Sequence, residues 1–322
     1  MSAQPAIRTE GLTKYYGDFP ALVDLDLVIP QGEVFGYLGP NGAGKTTTIR
    51  TLMDEIRPTR GRASILGLDT HEDSVEIRRH IGYLPGDLAM YPRLTGRDTL
   101  TYFANLRGGV DWTYVDELAE RLGANLAKKV GDLSSGNRQK VGLIQAFMNR
   151  PEVLIMDEPS IGLDPLVQAE FQKMVRETAA EGRTIFLSSH TLSEVQRVAD
   201  RVGIIRHGRL VTVESVSTLR SKAMRKVELE FTSPAEPAVF EALPGARDVT
   251  VHNHRVMLSY DGRMDRLLKT AFDHYEVVDI ATEEADLEEI FLTYYRDEEE
   301  PAGGPPEADD EAAPVDDEVP LR

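Results

Sequence analysis

The sequence of 322 residues contains no cysteine. That excludes disulfides and thiolate metal sites, and it suits a reducing compartment. It has a single tryptophan, and aromatics make up only 7% of it. No apolar run approaches the roughly 18–20 residues of a membrane-spanning helix. The longer runs, such as VLIM at 153–156, read instead as buried strands. The opening residues, MSAQPAIRTE, lack a basic stretch followed by an apolar core, so no signal peptide is expected. Excess positive charge is lacking as well: 36 Lys and Arg face 54 Asp and Glu, a net charge of −18. No nucleic-acid partner is expected from such a balance.

The charge is unevenly spread. Residues 297–322 hold 11 acids and one base among prolines and glycines, the composition of a disordered acidic tail. From residue 5 to about 215, short apolar runs alternate with helical periods. VFGYLG (34–39), EVLIMD (152–157) and RTIFLSS (183–189) have the continuous apolarity of strands buried on both faces of a parallel sheet. This is α/β architecture. Residues from about 85 to 150 show few strand signals, and a mostly helical insertion is expected there. Thr95 with Asp98 is positioned as a capping box opening one of its helices. RVGIIRHGRLVTVE (201–214) predicts a hairpin around His207-Gly208.

A small α+β unit is expected over 221–296, after a nucleotide-binding region of 1–220. KVELEF, DVTVHNH, RVMLSY and YEVVDI supply four strands, and two helices fall between them. The order β-α-β-β-α-β predicts a ferredoxin-like sandwich. Ser233, Pro234 and Glu236 form the expected start of its first helix. DLEEIFLTYYR (286–296) would close the unit as an amphipathic helix with Leu287, Ile290, Phe291 and Tyr294 on one face.

Residues 39–46, GPNGAGKT, match G-x-x-x-x-G-K-[ST] and lie between an apolar strand and a helical stretch. Gly39, Asn41, Gly42 and Gly44 belong to a loop whose backbone can approach phosphate oxygens. The amides around 42–47, Thr47 included, form an anion nest. Lys45 places a positive charge at the β- and γ-phosphates, and the Thr46 hydroxyl is a ligand for Mg²⁺. VLIMDE (153–158) delivers Asp157 and Glu158 at a strand end. Asp157 is the candidate for holding Mg²⁺ through its water shell, and Glu158 for activating the attacking water.

LSSGNRQK (133–140), VLIMDEPSIGLD (153–164) and a strand ending in His190 follow in that order. The series resembles the ATP-binding cassette (ABC) ATPases over roughly residues 5–215. The resemblance implies a P-loop NTPase fold with a helical subdomain, ATP and Mg²⁺ as ligands, and catalysis by Glu158, Lys45 and His190. It implies that Tyr16, rather than Tyr15, stacks on adenine. Ser134, Gly136 and Asn137 would belong to the signature loop, which binds the nucleotide of a second chain, and Asp164 would link the two sites. Ser134 and Gly136 also read as the cap of the helix that follows. Asp164 is a fair N-cap, and His190 could instead cap the helix of TLSEVQRVAD. One phosphate loop and one signature loop per chain imply a head-to-tail pair, with a second copy or a related chain.

The sequence departs from the family pattern twice. Ser135 and Asn137 stand where LSGGQ has glycine and glutamine, and Gly86 stands where the family has a glutamine that reaches Mg²⁺ and water. Asp87 is the candidate substitute as a metal ligand. A cassette near 220 residues, the β-α-β-β-α-β appendage, the closing LEEIFLTYYR helix and the GYLPGD departure together resemble the ATPase subunits of bacterial drug and antibiotic exporters of the daunorubicin-resistance type. That implies a separate polytopic permease, export of a drug, antibiotic or other hydrophobic compound, and a place on the cytoplasmic face of the membrane. The alternative is an ATP-gated regulatory protein that drives no transport. A translation factor of the superfamily would carry two cassettes and a basic linker, and a chromosome ATPase long heptad arms; a small-molecule phosphotransferase would share the phosphate loop but has no reason to carry LSSGN, PSIGLD and His190.

Overall fold

The structure is a computed structural model and describes residues 4–222 and 225–283. Its centre is a six-stranded sheet built from β3 (Val34–Leu38), β6 (Ile81–Leu84), β7 (Val153–Asp157), β8 (Thr184–Ser189), β9 (Arg201–Arg206) and β10 (Arg209–Ser215). The spatial order is β10-β9-β3-β8-β7-β6. All neighbours are parallel except the β9–β10 hairpin, which turns at His207 and Gly208, both at positive φ. Every residue of β3, β7 and β8 is buried. Their uninterrupted apolar runs follow from cover on both faces.

Helices α1 (Lys45–Leu52), α2 (Ser74–His80), α6 (Pro165–Ala180) and α7 (Leu192–Val195) connect the strands. The expected helical insertion is present as α3 (Gly96–Leu106), α4 (Trp112–Arg121) and α5 (Ser135–Phe147). Thr95 and Asp98 form the full capping box at α3. Leu100, Val115, Leu118, Val141, Ile144 and Phe147 join the insertion to one face of the sheet. The other face packs beneath a second sheet that the sequence reading did not separate. It is antiparallel and ordered β2-β1-β4-β5: β1 (Ile7–Tyr16), β2 (Phe19–Ile29), β4 (Arg60–Ile65) and β5 (Leu68–Asp69).

After α8 (Val216–Lys222) comes the expected β-α-β-β-α-β order: β11 (Arg225–Phe231), α9 (Pro237–Glu241), β12 (Ala246–His252), β13 (Arg255–Tyr260), α10 (Met264–His274) and β14 (Val277–Glu283). The sheet is wholly antiparallel, in the order β12-β13-β11-β14, around its own core of Leu229, Phe240, Val256 and Leu267. The first helix does not begin at Ser233-Pro234. Pro237 is its first residue and Glu236, extended at φ −92° and ψ 125°, its cap. A residue before proline is driven out of the helical region. Ala235 meanwhile is buried and donates its N–H to the Asn253 carbonyl, which commits the segment to the sheet. The expected closing helix at 286–296 and the tail at 297–322 lie outside the described residues.

Candidate nucleotide site

Parallel strands end on one edge, and ligands bind there because the connecting loops and helix N-termini converge. Here β3 delivers the phosphate loop, β8 delivers His190, and β7 delivers Asp157 and Glu158. The order β3-β8-β7 sets them side by side.

Gly44 ends the phosphate loop in a left-handed conformation (φ 110°), and no side chain caps α1. This contrasts with α5 and α6, which Ser134 and Asp164 cap in the ordinary way. An uncapped helix start leaves first-turn amides and the positive dipole end for an anion. The buried Tyr37 hydroxyl meets Thr48 Oγ1 at 3.2 Å, which ties α1 to β3. Burial pushes the Tyr37 phenol well above its ordinary pKa, so it stays neutral behind the loop.

Lys45 is buried, and its ammonium donates to Gly39 O (2.6 Å) and Pro40 O (3.2 Å). The third position faces Glu158 Oε1 at 3.2 Å. The other Glu158 oxygen is 2.9 Å from His190 Nδ1. Glu158 therefore lies between the two groups expected at a γ-phosphate, with its side chain 13% exposed. His190 does not cap the next helix: α7 has four residues, Thr191 is its cap residue, and no side chain accepts there. Thr46 Oγ1 donates to Asp157 Oδ2 at 2.7 Å. Ser188 donates to the second Asp157 oxygen and accepts the Glu158 N–H at 3.0 Å, so one serine on β8 fixes both acids of β7.

Tyr16, Phe19, Asn41, Gly42, Gly44, Lys45, Thr46, Thr47 and Glu158 line a common cleft of about 300 Å³. Tyr16 is 47% exposed and lies under Lys14 Nζ, 5.2 Å from the ring centre. Tyr15 is less exposed, and its N–H is taken by Thr59. Phe19, opposite Tyr16 in the β1–β2 register, is a second exposed aromatic that sequence reasoning missed. The pairing of the strands, invisible from spacing alone, brings it in.

These residues fit a magnesium nucleotide. The uncapped helix and the Lys45 ammonium suit phosphates. The adjacent Thr46 hydroxyl and Asp157 carboxylate are the hard oxygen donors Mg²⁺ takes, in the small number it uses when phosphate and water complete its shell. Among the described residues no three acidic or histidine side chains gather into a metal set. Asp87 is exposed and does not join Asp157 and Glu158 in one. Gly86 is the residue that abuts Asp157: a Cβ on it would lie 2.9 Å from Asp157 Oδ2. The fold thus places a residue without a side chain at that spot and leaves its neighbour in solvent.

The signature segment differs from expectation in one respect. Ser134 caps α5, accepting from Asn137 N (3.3 Å) and Asn137 Nδ2 (2.9 Å). Gly136 is no cap. It lies in the first turn with its α-carbon against the Gly162 carbonyl, 2.2 Å from where a Cβ would stand. Three residues on, the buried Gln139 donates to Pro159 O at 3.0 Å and approaches Glu158 O at 3.4 Å. The helix carrying the signature loop is therefore fastened to the loop that follows Glu158. Gly136, Asn137 and Ser134 are brought together; they stand apart from the phosphate-loop cleft, whose lining does not include them.

Residues 22–161 match the ABC transporter family. The chain is 34% identical over 293 residues to the bacitracin transport ATP-binding protein BcrA of Bacillus licheniformis, covering 89% of this chain and 96% of that protein. It is 32% identical over 311 residues to the daunorubicin/doxorubicin resistance ATP-binding protein DrrA of Streptomyces peucetius, covering 91% and 93%. A solved structure of an ATP-binding subunit of an ABC transporter superposes with a TM-score of 0.61 at 30% identity, covering 67% of this chain and 92% of that one. The uncapped phosphate helix, the acids at the end of β7 and the likeness to BcrA along nearly its full length have one explanation: the chain belongs to the ABC transporter family, as an ATP-binding ATPase subunit.

Proposed function

We propose that this protein hydrolyses ATP as a pair of chains and drives a separate membrane-spanning chain that exports a drug, antibiotic or related hydrophobic compound. The observation that carries the catalytic part is Glu158, held between Lys45 and His190 at the floor of the phosphate-loop cleft. A carboxylate so placed is suited to orient and deprotonate water at a γ-phosphoryl group. Lys45 and His190, released from Glu158 as phosphate oxygens replace it, take the charge that develops there. Catalysis of this kind rests on position and charge more than on covalent chemistry. Thr46 and Asp157 would hold Mg²⁺, which neutralises charge on the β- and γ-phosphates when bound. Tyr16, with Phe19 beside it, offers a face for adenine.

Ser134 is exposed at the start of α5, outside its own chain's cleft. A second copy related by a twofold axis would bring that helix start to the γ-phosphate held by Lys45 of the first, with Asp164 between the two sites. No helix among the described residues is long and apolar enough to cross a membrane. A membrane task therefore calls for a partner, and the helical insertion near Tyr91 and Tyr102, both exposed, is the surface proposed to meet it at the cytoplasmic face. The names of the two relatives, one concerned with bacitracin transport and one with daunorubicin resistance, support the class of cargo.

Glu158→Gln tests the motor directly. It should retain Mg-ATP binding, lose at least about 100-fold in turnover, and elute at twice the monomer mass with ATP. A variant that stays monomeric at saturating Mg-ATP, or keeps its turnover, overturns the reading. Recovery of the intact chain with a polytopic membrane protein that stimulates its ATPase activity would support transport. Turnover indifferent to any membrane fraction would favour the ATP-gated regulator.

A further inference from the structure

Two connections must hold still for Glu158 and His190 to meet: residues 158–164 after β7, and the turn that leaves Ser189, the last residue of β8, for α7. Ser189 still pairs with Leu38 of β3, but beyond it no sheet ladder holds either connection. Both end on one side chain. Glu194 Oε2 accepts from Ser160 Oγ at 2.6 Å and from Ser189 Oγ at 3.1 Å. Ser160 is two residues beyond Glu158, and Ser189 immediately precedes His190. Ser189 Oγ in turn accepts the Thr191 N–H at 2.9 Å, which closes the turn that presents the imidazole.

The surroundings make this arrangement strong. Ser160 and Ser189 are buried, and Glu194 is partly buried with Phe171, Leu187 and Val198 around it. The space left among them is only about 20 Å³. Hydrogen bonds shielded from water gain strength from the low local polarity, whichever oxygen accepts them. One carboxylate oxygen thus spans loops whose residues are 34 and 5 positions away in sequence.

We infer that Glu194 is a positioning residue for hydrolysis: it clamps the Glu158 loop to the His190 loop through Ser160 and Ser189, without touching nucleotide. The inference rests on the catalytic reading of Glu158 and His190 given above. It predicts that reach and acceptor oxygen matter and net charge does not. Glu194→Gln keeps the length and an oxygen able to accept both hydroxyls. Glu194→Asp keeps the charge but is one methylene too short to span both. Removal of a positioning contact moves kcat and leaves the substrate-binding surface intact.

The test uses the full chain and two readouts. In steady-state ATPase assays, Glu194→Asp should lose at least tenfold in kcat with KM for ATP within threefold of wild type, and Glu194→Gln should remain within threefold in both. In amide hydrogen exchange without nucleotide, peptides covering 158–164 and 188–193 should both exchange at least tenfold faster in Glu194→Asp and be unchanged in Glu194→Gln. An Asp variant with wild-type exchange, a Gln variant as impaired as Asp, or a kcat loss matched by an equal rise in KM each overturns the clamp. Exchange decides the clamp even if wild type or Glu158→Gln behaves contrary to the catalytic reading, so the two failures are told apart.

Discussion

Glu158 carries an uncommon backbone, φ 50°, in a region that side chains other than glycine seldom occupy. Such a conformation costs on the order of 1–3 kcal/mol and persists only where neighbours enforce it. Ser188 enforces it from below through the Glu158 N–H, and Gln139 holds the carbonyls that follow. The same economy of space governs Gly136. Adding a single methyl there would set a carbon 2.2 Å from the Gly162 carbonyl oxygen, and a backbone oxygen cannot swing aside as a side chain would. Gly136→Ala should therefore cost about 1–3 kcal/mol in folding stability, by overpacking, and disturb the start of α5. Thermal unfolding checks the first effect. ATP-dependent dimer formation checks the second, because the displaced helix start belongs to the surface proposed to meet the partner's nucleotide. A Gly136→Ala chain with unchanged Tm would show that the two loops part readily.

At the scale of elements, the end of α2 is fixed to the start of β7 by a titrating contact. His80 Nδ1 lies 2.7 Å from Glu152 Oε1, and its other nitrogen lies 3.3 Å from Glu76 on the same helix. The hydrogen bond to Glu152 is the main cause that raises the imidazole above its usual pKa of 6.5, against a smaller effect of burial in the other direction. A group whose folded pKa is raised stabilises fully below the unfolded value and loses that contribution as pH rises through the folded value. The wild type should therefore lose stability relative to His80→Gln between pH 6.5 and the folded pKa above it, and the two curves should run parallel well above that point. Melting temperatures of both proteins across pH 6–9 measure this. A gap that does not change with pH would mean the pair carries no linked proton.

What was legible at this scale followed burial. β3, β7 and β8 are covered on both faces, so their apolar runs announce them, and Thr95 with Asp98 announces a helix start because its partners are three residues apart. The phosphate loop and the β7 acids were legible for the same reason: their spacing is local. The start of α9 was missed because a cap pattern at 233–236 competes with Pro237, and the chain obeys the proline. Phe19, Gln139 and Glu194 were not legible. Each acquires its meaning from a strand register or from a loop tens of residues away, and nothing in its own neighbourhood marks it. Asp87 is exposed, and the residue that abuts Asp157 is its neighbour Gly86, a placement that adjacency in sequence does not reveal.

For the whole molecule, the decisive question is whether two copies complete each other's sites. Within one chain the phosphate-loop cleft contains Lys45, Thr46 and Glu158 and excludes the signature loop. A twofold pair of the kind proposed would supply the missing side twice, since residue i meeting j in one direction requires j meeting i in the other. The absence of cysteine makes this open to a clean crosslinking experiment. Asn41 and Ser135 are both exposed, and neither is among the residues proposed to act on the γ-phosphate. Asn41→Cys and Ser135→Cys, each alone in the Glu158→Gln background, should give little covalent dimer with a short bis-maleimide. Mixed together with Mg-ATP they should give a heterodimer, and a chain carrying both substitutions should link at both sites. Omission of nucleotide should abolish the product, because in the proposed pair the phosphates are what the two surfaces share. Efficient linking of Asn41→Cys to itself would instead place the two phosphate loops face to face. In that geometry Ser134 could not reach the partner's nucleotide, and each chain would have to hydrolyse ATP without it.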